Sequence, residues 1–389
     1  GILNSYAIGA VRSDGAVDLN WGIYQIIDSW QKVCYPDAAD IYMSVDKLNF
    51  EKIESISAEE STLTVSNLEN DKIYYFRIVS LHCDLDSIVS GAIMIQPGPN
   101  QFPTLTGDVI ISSVEKFRLS DDKQKVIYKP SSDEWYVADY NPMSSGKKLS
   151  DKSFHADWLP DNIHVACINL MRKDNALYSH SIDLYNVETF QTTNLHTIEN
   201  LGDYYMGGLQ ASLDGNALFF YSNKSIGQSE STPLRNIWSL NMQSQELTKL
   251  TDFDAIDFEM TDFIEDPNNP NNFYIIGGDY EMYWSNRKYD IYYWNTIDQT
   301  LTPILLDAYY DKIESISPLG DKILLESSRS GRSEFWVYNL LSEQISQVSD
   351  WHLYGSNKFR TNVEWTDNNT LLVHMSLFDQ KGFAEFKVD

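Results

Sequence analysis

The chain of 389 residues is 42% apolar and 13% aromatic, so it can bury a large core and is long enough for two domains. Its 56 acidic and 29 basic side chains leave a formal net charge of −27, which repels phosphate backbones and anionic lipid headgroups. We therefore expect no nucleic-acid partner. We also expect no direct membrane insertion, because no apolar run approaches the roughly 18 residues of a membrane helix.

Residues 1–98 have the pattern of short β-strands, because apolar and polar side chains alternate with a period of two. The alternation is clear in 16–21, 39–45 and 61–81, and the last of these is long enough for two strands. About seven such strands in so short a segment predict a small antiparallel sandwich.

Three residues of this segment match a known family. Trp21 closes the second predicted strand, and Leu68 is followed six residues later by Tyr74, which begins the run YYFRIVS. This pattern resembles the fibronectin type III domain, with its core Trp and its corner Tyr. The resemblance implies a sandwich over 1–98. The long stretch 22–36 departs from the family because it enlarges the loop after the second strand.

The cysteines bear on the cellular compartment. In a sandwich of this kind the loops that hold Cys34 and Cys83 lie at the same end, so a disulfide between them is geometrically reasonable. Such a bond would indicate an oxidising compartment, although three cysteines are few and the pairing stays open. Cys167 lies in the apolar segment HVACINL and is expected to be a buried free thiol.

A proline-rich segment, 99–105, separates the sandwich from the rest of the chain. It belongs to the run IQPGPNQFP, whose prolines make it stiff and extended. The domain boundary is expected here.

A six-fold near-repetition occupies the chain from about residue 115 to its end. The aligned strands are EWYVAD at 134, SIDLYN at 181, NIWSLN at 236, DIYYWN at 290, EFWVYN at 334 and GFAEFK at 382, about fifty residues apart. Several short strands in each copy, with Gly, Asp and Asn turns between them, are typical of propeller blades, which cover both faces of each sheet by stacking in a ring.

The last copy has only three predicted strands, 359–366, 370–377 and 383–388. Its fourth strand is expected from DVIISS at 108–113, so that strands from both ends close the ring and hide its edges. The prediction is an all-β chain: an N-terminal fibronectin type III-like sandwich followed by a six-bladed β-propeller over 106–389.

The turns of the repeat resemble those of the TolB-type propeller blade. SLDG at 212 and SPLG at 317 match its first turn, and SRSG at 328 matches its second. Proteins with this propeller include periplasmic adaptors, the propellers of prolyl peptidases and a few lyases that are catalytic in the ring itself. The resemblance therefore implies a fold and leaves the function open.

The sequence contains no pattern that identifies an enzyme. A serine peptidase of this type needs a G-x-S-x-G elbow, and the chain has none. The seven histidines show neither HxH nor HxxxH spacing, so no metal pair lies on one element. We expect no cofactor and no metal site.

The innermost strands carry polar residues just before each turn, where side chains are expected to face an axial channel. These candidate ligand-binding residues are Arg118, His155, Asp157, Gln210, Asp262, Glu314 and Glu364. We expect an acidic lining with one basic sector, suited to a cation, a sugar or an amine-bearing peptide. The plainer interpretation is that polar side chains and water line every propeller channel. Asp157 and Glu364 would also serve as a glycosidase acid and base if their separation allowed it.

A second candidate surface lies in the stretch 279–290. It concentrates Tyr280, Tyr283, Trp284 and Arg287, residue types that are enriched at binding hot spots. Packing against the next blade is an equally good explanation of these residues.

These observations predict an exported, non-enzymatic binding or scaffold protein of the bacterial cell envelope, periplasmic or on the cell surface, that recognises a protein or glycan through its propeller. The alternative is a carbohydrate-active enzyme, lyase or glycosidase, with its site in the axial channel. The chain opens at Gly1 without an initiator Met, so we expect that a targeting segment was removed. The oligomeric state stays open.

Overall fold

The computed structural model describes residues 8–21, 26–27, 33–34, 36–57, 59–82, 88–99, 114–130, 134–140, 144–150, 153–173, 177–198, 206–223, 234–279, 289–307, 309–349, 362–377 and 380–388. Across these ranges, no helix has the length and apolar character needed to span a membrane. The chain divides into two compact units: Gly1–Phe102 with Leu325–Ser356, and Pro103–Leu324 with Asn357–Asp389.

The first hundred residues form short antiparallel strands in the part that the structure describes. They are β1 (Ile8–Ser13), β2 (Ala16–Trp21), β3 (Ile26–Ile27), β4 (Val33–Cys34), β5 (Pro36–Ser44), β6 (Glu51–Ser57), β7 (Thr62–Ser66), β8 (Tyr74–His82), β9 (Ile88–Val89) and β10 (Ile93–Ile95). One sheet has the order β1-β2-β7, and the other has the order β10-β8-β5-β6 with β9 beside β8. The strands β3 and β4 pair with each other.

Alternating side chains of these sheets form one apolar core. Leu19 and Trp21 of β2 are buried with Ile41 of β5 and Phe76 of β8, as the period-two pattern of the sequence requires. The Glu69 N–H donates to Tyr74 Oη at 3.0 Å, which fixes the chain just before β8.

The rest of the chain repeats one local pattern, the antiparallel meander. The strands are β11 (Lys116–Leu119), β12 (Lys125–Lys129), β13 (Trp135–Asp139), β14 (Lys147–Ser150), β15 (Ser153–Trp158), β16 (His164–Lys173), β17 (Leu177–Asn186), β18 (Thr192–Ile198), β19 (Met206–Ala211), β20 (Ala217–Ser222), β21 (Asn236–Asn241), β22 (Leu247–Lys249), β23 (Phe258–Glu265), β24 (Phe273–Asp279), β25 (Asp290–Asn295), β26 (Thr300–Leu305), β27 (Asp311–Ile316), β28 (Lys322–Ser327), β29 (Glu334–Asn339), β30 (Ile345–Gln347), β31 (Asn362–Asp367), β32 (Thr370–Leu377) and β33 (Gln380–Lys387). A short 3-10 helix, Phe253–Ile256, precedes β23.

Within the described residues these strands make five four-stranded sheets in chain order, from β11 to β30, and a final three-stranded sheet, β31-β32-β33. The architecture is therefore nearly all-β, and it is that of a β-propeller. The strand predicted at 108–113 to complete the last sheet lies outside the described residues, as does most of the linker 99–105.

Apolar side chains fill the space between neighbouring sheets of the second unit. Trp135 of the first sheet packs in one cluster with Trp158 and Cys167 of the second. Phe117 of the first sheet packs with Phe383 of the last, their ring centroids 5.0 Å apart. The first sheet thus buries both faces, which explains why its strands are rich in aromatic residues.

The repeated Ser turn between the first two strands has a physical cause. Ser212 Oγ donates to Asp214 Oδ1 at 2.7 Å and accepts the Ala217 N–H at 2.9 Å, which ties the two strands together. Ser317 Oγ does the same with Asp321 and Lys322. Gly215 takes φ +71° in this turn, a conformation that favours glycine.

The Asn that ends the aligned repeat strands also has a local role. The Oδ1 atoms of Asn186, Asn241, Asn295 and Asn339 each accept the backbone N–H groups two and three residues further on. The side chain thereby forms the turn into the next strand. The repeated Asn residues are therefore explained by the turns that they form. They specify the fold and do not indicate an activity.

The first unit includes contacts between the β1–β10 region and residues 328–349. The Ala10 N–H donates to Ser330 O at 3.0 Å, and the Met94 N–H donates to Arg329 O at 2.6 Å. Gly331, at φ +81°, lies so close to β1 that a Cβ would come within 2.0 Å of Ile8 O. Glycine is therefore required at this contact.

Candidate functional site

The innermost strands of the second unit surround a polar cavity. Contacts join consecutive innermost strands in the order β11, β15, β19, β23, β27 and β31, and β31 contacts β11. The cavity has a volume of about 130 Å³. Its charged and polar lining consists of Lys116, Arg118, His155, Gln210, Asp262, Lys312 and Glu314.

Five of the seven predicted channel residues line this cavity, namely Arg118, His155, Gln210, Asp262 and Glu314. The other two, Asp157 and Glu364, lie beside Arg118. Whether any of these residues binds a ligand stays a prediction.

Arg118 is held by two carboxylates from neighbouring sheets. Its Nη1 lies 2.5 Å from Glu364 Oε1, and its Nε lies 3.9 Å from Asp157 Oδ1. Each carboxylate also accepts a backbone N–H from the next innermost strand: Glu364 from Leu119 at 3.0 Å, and Asp157 from Ala211 at 2.9 Å. We call Arg118, Asp157 and Glu364 the arginine knot, because they join the strands β11, β15, β19 and β31.

Burial and charge act in opposite directions on the knot. Burial works to lower the pKa of the Arg118 guanidinium, but Glu364 and Asp157 outweigh it and the pKa is raised. Burial raises the pKa of Asp157 to about 6, against the lowering effects of Arg118 and the Ala211 N–H. Burial likewise raises the pKa of Glu364. The guanidinium is therefore permanently charged, and the carboxyls keep their charge at a cost in desolvation.

Cationic groups gather on the side of the cavity formed by β11 and β15. Lys116 and Arg118 project from β11, and Lys129 is the cross-strand partner of Lys116 on β12. Burial and the neighbouring cations, Arg118, Lys312 and Lys129, lower the pKa of Lys116. Burial and the same cationic sector lower the pKa of His155 to about 3, so its imidazole is neutral at physiological pH.

Carboxylates lie on the walls formed by β23 and β27. Asp262 accepts the Phe263 N–H at 3.0 Å, and burial raises its pKa against the lowering effects of that bond and of Lys312 and Lys116. Glu314 pairs with Lys312, whose Nζ lies 2.5 Å from Glu314 Oε1. The charges in the cavity are therefore separated: the cations of β11 lie on one side and Asp262 of β23 lies on another.

Gln210 joins two strands on the cavity wall. Its Oε1 accepts the Glu265 N–H at 3.1 Å, and its Nε2 donates to Phe263 O. Gly207, on the same strand, leaves room for the neighbouring side chains, because a Cβ there would lie 2.5 Å from Tyr221 Oη and 3.0 Å from His155 Nε2. Both polar atoms of the Gln210 side chain are thus bonded within the protein, so this side chain is less available to a ligand than the sequence suggested.

Two features of the site differ from the sequence-based expectation. Lys312 was missed, although it lies two residues before Glu314 on the same strand, and the period of two that identified Glu314 also identifies it. The expectation of an acidic lining was wrong: Asp157 and Glu364 are bound in the knot, so the charged side chains on the lining are Lys116, Arg118 and Lys312 against Asp262 and Glu314.

The sequence also predicted a surface contact site and the state of the cysteines. Tyr280, Tyr283, Trp284 and Arg287 lie outside the described residues, and so do Cys83 and the side chain of Cys34. Cys167 is a buried free thiol, as predicted, and burial raises its pKa to about 12. Among the residues with a described position, no three His, Cys, Asp or Glu side chains cluster in a way that would hold a metal ion.

No protein-family model matches the chain, and no curated protein matches it in sequence. Among solved structures it is similar to TolB from Acinetobacter baumannii, with a TM-score of 0.51 and 10% identity, over 82% of this chain and 75% of that one. An acylaminoacyl peptidase from Pyrococcus horikoshii gives a TM-score of 0.47 and 11% identity, over 99% of this chain and about half, 51%, of that one. At this identity the likeness to TolB shows the propeller fold alone.

Proposed function

We propose that this chain is a non-enzymatic binding or scaffold protein, exported to the bacterial periplasm or cell surface, that recognises a protein or glycan partner through its propeller. The observation that carries the proposal is the arginine knot. Asp157 and Glu364 were the candidate acid and base of a ring-centred enzyme, and both instead hold Arg118 and a backbone N–H of a neighbouring strand. These contacts favour a structural role for both carboxylates, which link neighbouring innermost strands.

The proposal includes a closed ring of six blades. Support comes from hydrogen bonds that join the first turn or innermost strand of one sheet to the next. Such bonds link Asp122 N–H to Asn162 Oδ1 (3.3 Å), Ala211 N–H to Asp157 Oδ2 (2.9 Å), Leu213 N–H to Glu265 Oε2 (3.1 Å), Asn268 Nδ2 to Leu319 O (3.0 Å), Leu319 N–H to Asn368 Oδ1 (3.2 Å) and Leu119 N–H to Glu364 Oε2 (3.0 Å). Together these bonds connect every consecutive pair of the six sheets, through their innermost strands or the turns that follow them.

The proposal also treats the β1–β10 region as a fibronectin type III-like module. Trp21 is buried in the core between its sheets, and Tyr74 Oη accepts the Glu69 N–H in the manner of a tyrosine corner. Modules of this kind are commonly attached to secreted or surface proteins, which favours an extracytoplasmic setting. Export is tested by fractionating cells that express the protein from its natural gene: recovery in the cytoplasm alone would contradict it.

The alternative, a carbohydrate-active enzyme, requires groups in the cavity that can accept and donate protons. Asp262 is the best candidate on the lining, because its carboxylate has no side-chain partner among the described residues and its pKa is raised by burial. Its neighbour Glu314 is instead paired with Lys312. A single free carboxylate lacks the second acid or base of a glycosidase.

The two functions differ in what a polysaccharide panel shows. We expect some glycans or envelope proteins to bind the purified chain without new reducing ends or unsaturated products appearing. Asp262→Asn is the informative variant, because the substitution keeps the shape of the side chain and removes its charge. Turnover by the wild type that disappears in Asp262→Asn would overturn the proposal in favour of the enzyme. A matched control is Asp252→Asn, an exposed carboxylate beside Lys249.

A further inference from the structure

The cavity contains two kinds of polar group, and the difference between them points to a ligand. Arg118, Gln210, Lys312 and Glu314 are each bonded to another group of the protein. Lys116 and His155 have no hydrogen bond or ion pair within the described residues, and Asp262 accepts only the N–H of its own neighbour, Phe263. Three free polar groups therefore face one small cavity.

The three free groups differ in charge and in hydrogen-bonding role. Lys116 is exposed to the cavity, and its ammonium lies among cations that repel it, so an anion beside it would relieve that repulsion. His155 on β15 is neutral and offers an N–H to the same anion. Asp262 on β23 provides an acceptor close enough to Lys116 for the two charges to interact.

The size of the cavity limits what can enter. About 130 Å³ holds roughly four water molecules at about 30 Å³ each. A polysaccharide chain or a folded partner cannot enter this space, whereas a molecule of a few heavy atoms fits and displaces several waters.

We propose that the axial cavity is a binding site for a small carboxylic acid with a hydroxyl or amino group on the adjacent carbon. Its carboxylate lies against Lys116 and His155, and its hydroxyl or amino group donates to Asp262. A ligand of this kind pairs all three free groups at once, which an inorganic anion or a simple amine does not. This inference goes beyond the proposed recognition of a macromolecular partner, because such a partner is too large for the cavity.

The test is calorimetric titration of the whole chain at low ionic strength with four small probes: L-lactate, glycine, propionate and ethanolamine. We expect L-lactate or glycine to bind at least about tenfold more tightly than propionate, which lacks the donor, and than ethanolamine, which lacks the carboxylate. Equal binding of all four, or of none, would overturn the proposal. Equal competition by phosphate or chloride would reduce the site to a general anion site and would also overturn it.

Two variants assign the roles of the free groups. Lys116→Met should weaken binding by at least about tenfold, and the matched control Lys249→Met, which removes an exposed lysine of β22, should leave the affinity unchanged. Asp262→Asn should bring the affinities for L-lactate and propionate close together, because the charged acceptor is lost. Since Lys116 bonds to no described group, its removal should leave the fold intact, so an unchanged affinity in Lys116→Met would contradict the proposal.

Discussion

The arginine knot and the free wall of the cavity lie on the same ring of strands and differ in one respect. Every charge of the knot is bonded: Arg118 is held by Glu364 and Asp157, and each carboxylate accepts a backbone N–H. On the free wall, Lys116 and His155 have no hydrogen bond or ion pair within the described residues, although Asp262 is close enough to attract Lys116. The knot therefore ties neighbouring strands of the ring together, whereas the free wall keeps a net repulsion among its cations that a bound anion would reduce.

The largest expected effect comes from breaking the knot. Arg118→Leu leaves Glu364 and Asp157 as two buried carboxylates without their counter-charge, which should lower the free energy of unfolding by about 2–4 kcal/mol. This loss of stability is smaller than is usual for a fully buried ion pair, because 43% of the Arg118 side chain is exposed. Urea unfolding followed by tryptophan fluorescence measures it.

The control for this prediction is an ion pair on the surface. Lys148→Met breaks the pair with Glu134, in which both side chains are more than a third exposed, and should cost less than about 1 kcal/mol. If both variants lost the same stability, the knot would have no special role.

A smaller effect is expected from the wall of the cavity next to His155. Gly208 has φ +63°, and a Cβ there would lie 2.6 Å from a ring carbon of Tyr221. Gly208→Ala should therefore lower the free energy of unfolding by about 1–3 kcal/mol, through backbone strain and displacement of the Tyr221 ring. In contrast, Gly91→Ala meets no atom within 4 Å and should stay within about 0.5 kcal/mol of the wild type. If Gly208→Ala also stayed within about 0.5 kcal/mol of the wild type, the prediction would be wrong, because the Tyr221 ring would then move aside without cost.

The free wall should also give a pH signature. The pKa of His155 is lowered from 6.5 to about 3, so between these values the unfolded chain takes up a proton that the folded chain does not. Its contribution to stability is present above pH 6.5 and is lost as the pH falls toward 3. His155→Gln should therefore lose less stability than the wild type between pH 7 and pH 4.

This pH comparison must be made between the two proteins at each pH, because other groups titrate too. The raised pKa of Asp157 has the opposite sign: its contribution is greatest at acid pH and is lost as the pH rises through about 6. The cations that face His155 are Lys116, Lys129 and Arg118. Parallel melting-temperature profiles for the two proteins would contradict the assignment.

The smallest expected change has an unusual sign. Lys116→Met removes a charge that burial and repulsion by Arg118, Lys312 and Lys129 disfavour more than Asp262 favours it, and it breaks no hydrogen bond or ion pair within the described residues. We expect the melting temperature of the ligand-free protein to rise by about 1–2 °C, the size that corresponds to about 0.5 kcal/mol. A gain in stability together with a loss of ligand affinity is the expected behaviour of a residue kept for binding.

Much of the fold could be predicted from the sequence because the repeats carry their own turn chemistry. Ser212 with Asp214, and Asn241 at the end of its strand, form local hydrogen bonds that hold wherever the pattern occurs. The same local rules placed Arg118 and His155 on innermost strands, and both line the cavity.

The state of each site residue could not be predicted from the sequence. Whether Asp157 and Glu364 face a ligand or hold Arg118 depends on contacts between residues far apart in the chain: Arg118 and Glu364 are 246 positions apart, and Asp157 and Ala211 are 54 apart. Lys312 and Glu314 occupy neighbouring positions on one face of β27, but their pairing depends on side-chain geometry. Periodicity gives the direction of a side chain and says nothing about its partner.

The most direct test of the distinction between bonded and free charges is the melting temperature of Arg118→Leu and Lys116→Met, measured side by side without ligand at neutral pH. The two substitutions each remove one cation from β11, two residues apart. We predict opposite changes in melting temperature: a clear decrease for Arg118→Leu and a small increase for Lys116→Met. A comparable decrease in both variants would contradict it, because Lys116 would then be a structural residue like Arg118.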